Sequence, residues 1–258
     1  MKRIARRFLA GAALLAGLSG PVYAADLYIP PAPEMPSFGG WYLRGHIGMS
    51  NQRLDRLEYE YFDVPGLTHE WLDEGGFGAA PIFGVGLGYQ FNDWLRADVT
   101  AEYRGKASFD ALDRFTDATG TPVGTNDYRA KKSEWLFLAN AYADFKNSTA
   151  FTPYIGVGLG TSRNTISHFR DNNGLAGGGG YAGKDSEWNF AWALHAGVGI
   201  QATDRLTVDL GYSYVDLGDG RTGTAHNYDP ALSRPNDGFK FEDLTSHDFK
   251  LGIRYAFN

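Results

Sequence analysis

The sequence predicts an all-β fold, a transmembrane antiparallel up-and-down β-barrel of about eight strands, and three observations predict it. The first is the last strand: Phe249, Leu251, Ile253, Tyr255 and Phe257 share one parity, and Asp248, Lys250, Gly252, Arg254 and Ala256 the other. Side chains alternate faces along a strand, so one face is apolar and the other charged or small. The second is that such segments recur, joined by connections that alternate between short and long. The third is an export signal at the start, which decides between a soluble sandwich and a barrel in a membrane.

That signal has a cationic beginning (Lys2, Arg3, Arg6, Arg7), an apolar run over 8–18 and Val22-Tyr23-Ala24 before the expected cleavage at Ala25. The run is too short to cross a bilayer as a helix. Arg6-Arg7 lies directly against Phe8-Leu9, without the intervening residue of a twin-arginine signal, so the general secretory route is expected, with the signal peptide removed. The expected domains are a signal peptide over 1–24, a linker over 25–40 on the periplasmic side and a barrel over 41–258. Pro30, Pro31, Pro33 and Pro36 keep the linker out of any sheet.

Strand segments are expected at 41–49, 82–91, 95–104, 135–145, 152–165, 188–202, 205–217 and 244–257. In the first, Trp41, Leu43, Ile47 and Met49 face one way and Arg44 and His46 the other. Phe83, Val85, Leu87, Tyr89 and Phe91 alternate with Gly84, Gly86, Gly88 and Gln90, and a tight Asn92-Asp93 turn leads into the next strand. The facing of 135–145 stays open, because Leu136 and Leu138 share a parity with Asn140 and Asp144. Gly86, Gly88, Gln90, Asp93, Leu95, Asp98 and Tyr103 recur in register as Gly197, Gly199, Gln201, Asp204, Leu206, Asp209 and Tyr214, so one hairpin is used twice. Connections at 92–93, 146–151 and 203–204 are short, whereas 54–79, 107–132, 167–187 and 218–243 read as long loops. Short turns on a periplasmic rim and long extracellular loops describe an outer-membrane barrel.

Composition agrees. The 258 residues include no cysteine, which excludes disulfides and thiolate metal sites, and the net charge of -6 argues against nucleic acid. Mean hydropathy is -0.33, as expected where lumen-facing polar residues offset lipid-facing apolar ones. Aromatic residues at 15% and 34 glycines suit aromatic girdles and a tightly packed lumen.

The Pro-rich linker, Phe151-Thr152-Pro153-Tyr154-Ile155-Gly156-Val157-Gly158-Leu159-Gly160, Gly211-Tyr212-Ser213-Tyr214-Val215-Asp216-Leu217-Gly218 and Tyr255-Ala256-Phe257 resemble the OmpA-like eight-stranded barrels. Among these the chain is similar to the porin-family surface proteins of alphaproteobacteria, the RopB-like group. The resemblance implies an outer-membrane location, no enzymatic activity, and assembly by the barrel assembly machinery. Two departures stand out: Asn258 displaces the usual terminal aromatic residue, and no peptidoglycan-binding domain is expected after the barrel.

By parity, Arg44, His46, Arg96, Asp98, Glu102, Arg104, Asp209, Asp248, Lys250 and Arg254 form a lumen charge network of both signs. In a narrow barrel such charges must pair, and Asp209, Lys250 and Arg254 are expected to form one group. The glycine runs Gly84-Val85-Gly86-Leu87-Gly88 and 156–160 precede no helix and are not phosphate cradles. Ser167-His168 and Ser246-His247 lack a supporting acid at a fixed offset, and the six histidines lack metal-ligand spacing, so no catalytic residue, metal or cofactor is expected. Aromatic residues among loop acids, Tyr59, Tyr61, Phe62 and Trp71, are candidate contacts for a host or phage surface molecule or for lipopolysaccharide bridged by divalent cations. Gly177 to Gly180 reads as a flexible loop tip. The function expected is structural and interactive, with envelope integrity and loop display around a plugged lumen; the alternative is a small-solute porin or a carrier of a hydrophobic ligand such as haem.

Overall fold

The structure, a computed structural model, describes residues 40–60, 62, 65–174 and 178–257. The expected signal and all but the last residue of the expected linker lie outside the described residues. Twelve strands follow in chain order: β1 (Gly40–Arg53), β2 (Arg56–Glu58), β3 (Leu67–Phe77), β4 (Ala80–Gln90), β5 (Leu95–Asp117), β6 (Pro122–Asp144), β7 (Phe151–Asn173), β8 (Gly179–Ala182), β9 (Asp185–Gln201), β10 (Leu206–Arg221), β11 (Ala225–Asn227) and β12 (Lys240–Ala256). Eight of them form an antiparallel ring in the order β1-β4-β5-β6-β7-β9-β10-β12, closed where Tyr42 to Arg53 pair with Ala256 back to Thr245. β2 pairs β12, β3 pairs β5, and β8 and β11 form a ribbon on β7.

Alternation sets the facing of each strand. Leu43, Ile47, Phe83, Val99, Ile155, Leu194, Leu210, Leu251 and Ile253 point outward with about half their surface exposed, forming the apolar band that a bilayer covers. Aromatic belts edge it. On the rim of the short turns Trp41 meets Tyr89 at 5.3 Å and Tyr89 meets Phe91 at 5.2 Å; on the other, Tyr103 meets Trp135 at 5.1 Å and Trp192 meets Tyr214 at 5.5 Å. Inside, small residues make room for large ones: a Cβ on Gly88 would lie 2.3 Å from the Tyr42 ring, and one on Gly156 2.4 Å from the Tyr142 ring.

The duplicated hairpins close in the same way. Asn92 Oδ1 accepts hydrogen bonds from the backbone N–H of Trp94 and Leu95 at 3.0 and 2.8 Å, and Thr203 Oγ1 does so from Arg205 and Leu206 at 3.3 and 3.0 Å. In both, the shared aspartate faces a glycine across the hairpin, Asp98 opposite Gly88 and Asp209 opposite Gly199. The facing of 135–145 is now fixed: Leu136, Leu138, Asn140, Tyr142 and Asp144 are buried inward, and Trp135 and Phe137 point out. Leu136 and Leu138 join the buried apolar cluster level with Glu102 and Thr100, between polar residues of the same parity above (Lys132, Glu134) and below (Asn140, Asp144).

The four long connections are not loops in the main, a correction to the sequence expectation. Strands β5 and β6 each run 23 residues and end in a tight turn at 118–121, and 54–79, 167–187 and 218–243 contribute β2, β3, β8 and β11. The sequence concealed this because parity breaks where the strands leave the membrane. β5 slips between Arg104 and Ala107, and His168 in β7 and Asp243 in β12 take φ of 56° and 53°, at bulges that move the inward set from even to odd positions. Beyond the bulges the inward side chains become Phe109, Phe169 and Phe241, which join Phe77, Tyr128 and Phe239 in an apolar core above the barrel.

Candidate functional site: a paired lumen beneath an aromatic cap

Each strand brings its inward charges to a defined height. Nearest the short-turn rim, Arg254 on β12 donates to Asp209 on β10 at 2.7 and 3.0 Å, and Arg96 on β5 donates to Asp144 on β6 at 3.0 Å. Asp98 accepts from Arg44 at 2.9 Å, from the Tyr42 hydroxyl at 3.0 Å and from Asn140 at 2.8 Å. The Arg96 guanidinium lies over the Tyr142 and Tyr154 rings, 3.9 and 4.8 Å from their centroids.

Higher up, Glu102 is a hub: Lys250 at 2.7 Å, His46 at 3.0 Å and Arg104 at 3.3 Å converge on it. Arg104 also donates to Asp248 at 2.6 Å and stands 3.6 Å from Glu134, which pairs with Lys132. Across the membrane-crossing part, six cations (Arg44, Arg96, Arg104, Lys132, Lys250, Arg254) thus meet six carboxylates (Asp98, Glu102, Glu134, Asp144, Asp209, Asp248) among the described residues. A void of about 20 Å³ beside Arg44, His46 and Glu102 has room for about one water. The periplasmic mouth holds a wider one of about 150 Å³.

All ten charges placed in the lumen by parity point inward here, with one change in their grouping. Lys250 is not joined to Arg254 and Asp209; it pairs with Glu102 and, at 3.5 Å, Asp248. Arg254 and Lys250 are two inward positions apart on β12, so they serve different layers. Sequence reading missed Lys132, Glu134 and Asp144. Asp144 was legible as the partner of Arg96 once 135–145 was faced, whereas Lys132 sat in a stretch read as loop.

The cap departs further from expectation. Tyr59, Phe62 and Trp71 are partly buried and pack on the apolar core rather than standing out as contacts. Tyr59 stacks on Phe239 at 4.1 Å, and Phe62 meets His69 at 4.6 Å and Trp71 at 5.5 Å. Tyr61 lies outside the described residues. Asp113 is fully buried in this core, accepting from Tyr128 at 2.8 Å, Asn126 at 2.8 Å and His69 at 2.9 Å. Burial and the nearby Asp171 and Asp113 push the Tyr128 hydroxyl well above its ordinary pKa. Exposed apolar side chains of the cap include Leu72, Leu112, Val123, Tyr181, Tyr228 and Leu232. Gly179 and Gly180, expected in a flexible tip, are in β8, where a Cβ would lie 2.2 Å from the Asp171 carbonyl oxygen and 2.4 Å from that of His226.

Neither Ser-His pair makes a supported dyad. Ser246 points inward to Ser50 and Asp248 while His247 points outward to the Tyr212 hydroxyl at 2.7 Å. His168 meets Ser167 at 3.1 Å on the exposed bulge.

The family described as outer membrane protein beta-barrel domain matches residues 10–257. An uncharacterized protein of Brucella abortus is 30% identical over 98% of this chain and 99% of its own length. The outer membrane protein PagN of Salmonella typhimurium is 32% identical over 67% of this chain and 72% of its own, and a putative adhesin of Rickettsia massiliae is 30% identical over 66% and 72%.

Proposed function

From the premise that this chain belongs to the outer membrane protein β-barrel family, we propose that it is a surface-interaction protein of the bacterial outer membrane, with a lumen closed by ion pairs. The observation that carries this reading is the extension of β5 and β6 far past the upper aromatic belt, over a packed aromatic core. Ordering so much chain outside the membrane costs conformational entropy. A pore would gain nothing from it, whereas a binding platform needs it rigid. The adhesin name of one relative and the surface location support the same reading.

The proposed partners follow from position. Lipid covers the apolar band, lipopolysaccharide meets the outer belt, and a host or phage surface molecule meets the hairpin tips. The last strand, β12, with Tyr255 and the following Phe257, is offered to the barrel assembly machinery. Balanced lumen charge supports the plug over the porin alternative, since a conducting path needs charges facing water rather than each other. Two measurements test the reading together. Refolded protein in a planar bilayer should be nearly silent, and cells displaying it should bind a host-cell surface less when 107–132 is shortened to a tight turn. Large steady conductance would replace the plug with a pore, and unchanged binding by the shortened protein would remove the platform.

A further inference from the structure

Between the barrel's outer rim and the β8–β11 ribbon lies a cavity of about 370 Å³, with Tyr59, Asp171, Tyr181, His226, Arg234 and Phe239 among its lining. Asp171 stands on β7, opposite Tyr128 on β6 and Gly180 on β8. Its Oδ1 is buried and has no hydrogen-bond partner among the described residues. The charges that act on it are those of Asp113 and Asp127, both negative. Those two are already served, Asp113 by Tyr128, Asn126 and His69, and Asp127 by Arg129 at 2.9 Å. Among the described residues Asp171 therefore makes no ion pair within 4.0 Å, although Arg234 also lines the cavity and every carboxylate of the lumen below has a cation partner.

We propose that this cavity binds a small organic cation, its alkylammonium head held by the Asp171 carboxylate and its carbons packed against Tyr59, Tyr181 and Phe239. An ammonium in the cavity supplies the positive charge that the Asp171 carboxyl group lacks, and charge-assisted bonds to a carboxylate are the strong ones. Aromatic faces attract the same charge, and the volume lies in the range of small-molecule sites. A metal ion fits less well, because no group of three or more acidic or histidine side chains among the described residues is placed to hold one.

Burial and the two neighbouring aspartates push the Asp171 carboxyl up to about 7, so the site should fill at pH 8 and empty at pH 5. The titratable and charged groups facing it are Asp113, Asp127, Tyr128, Tyr181, His226 and Arg234, with Arg170 beside it on its own strand. A His226→Gln variant separates the contribution of the imidazole in the same lining. The test is titration of n-butylammonium into the full refolded protein at pH 8, with neutral n-butanol in parallel, followed by saturation-transfer NMR. Saturable butylammonium binding is expected, at least tenfold tighter than butanol, at least tenfold weaker in Asp171→Asn of unchanged heat-modifiable mobility, and lost at pH 5 also in His226→Gln. Equal binding of butanol, retention by Asp171→Asn, or no saturable binding of butylammonium each overturns the proposal. Should Asp171→Asn fail to refold, the butanol comparison and the pH dependence on the unaltered chain decide alone.

Discussion

Replacing Glu102 with Gln removes one charge from the middle of the barrel and leaves the shape nearly intact. Its oxygens lie 2.7 Å from Lys250 Nζ, 3.0 Å from His46 Nε2 and 3.3 Å from Arg104 Nη2. At an effective dielectric constant of about 20, the Lys250 contact alone is worth roughly 6 kcal/mol in Coulomb energy. The desolvation that the carboxylate suffers when it is buried offsets about half of this, and Asp248 at 3.5 Å still serves Lys250. A net loss of about 3 kcal/mol is expected, read as a shift in the urea midpoint of tryptophan fluorescence in lipid vesicles. The lumen then holds six cations against five carboxylates, so removing Lys250 as well restores the balance. Glu102→Gln with Lys250→Met should be more stable than the sum of the two single losses by at least about 1.5 kcal/mol. A single loss below about 1 kcal/mol, or strict additivity, would refute the claim that these charges are buried and coupled.

Other expectations concern faces, turns and the cap. Leu210 and Leu251 lie opposite each other in the apolar band, and Arg at either should cost roughly 2 to 4 kcal/mol in the same titration, while Thr207→Ser, at a lumen position, should cost far less. Gly156→Ala drives a Cβ to 2.4 Å from Tyr142 and should cost about 1 to 3 kcal/mol, again by urea titration. Protease added to intact cells should cut near 118–121 and spare the turns at 92–93 and 203–204; the opposite pattern would invert the topology. Asp171 gives a pH dependence of reversed sign for an acid. Its folded carboxyl keeps its proton up to about pH 7, so the unfolded chain binds fewer protons between about pH 4 and 7, and stability falls as pH rises. Asp171→Asn should therefore slow hydrogen exchange in β8 and β11 at pH 8 and leave it unchanged at pH 4.

The membrane-crossing part was legible because a bilayer and a narrow lumen impose a strict period of two. Trp41 to Met49 and Phe249 to Phe257 keep that period without a break, and facing followed from parity alone. Grouping was harder, since parity says which side Lys250 is on but not how high it stands; the pairing of Gly211 with Lys250 and of Thr207 with Arg254 sets that. Above the belts the period fails at Gly105-Lys106, His168 and Asp243. An inward set that changes parity within a strand looks, in sequence, like no strand at all. Phe109 and Phe241 then read as loop aromatics among acids, and Tyr59, Phe62 and Trp71 as exposed, because only the folded cap shows what lies beneath them.

The length of the β5–β6 hairpin sets a distance scale for everything that meets this protein. A tilted strand needs about 9 to 11 residues to cross the bilayer, so more than half of each 23-residue strand stands outside it. At about 3.3 Å per residue that is roughly 40 Å of strand, or about 30 Å of height at a 45° tilt. The turn at its summit is locked by Asp117, whose Oδ1 accepts from the backbone N–H of Thr119 and Thr121 at 2.8 and 2.9 Å. β3 climbs with it, pairing Leu67 with Asp117, so a contact made at this summit is made roughly 30 Å from the apolar band.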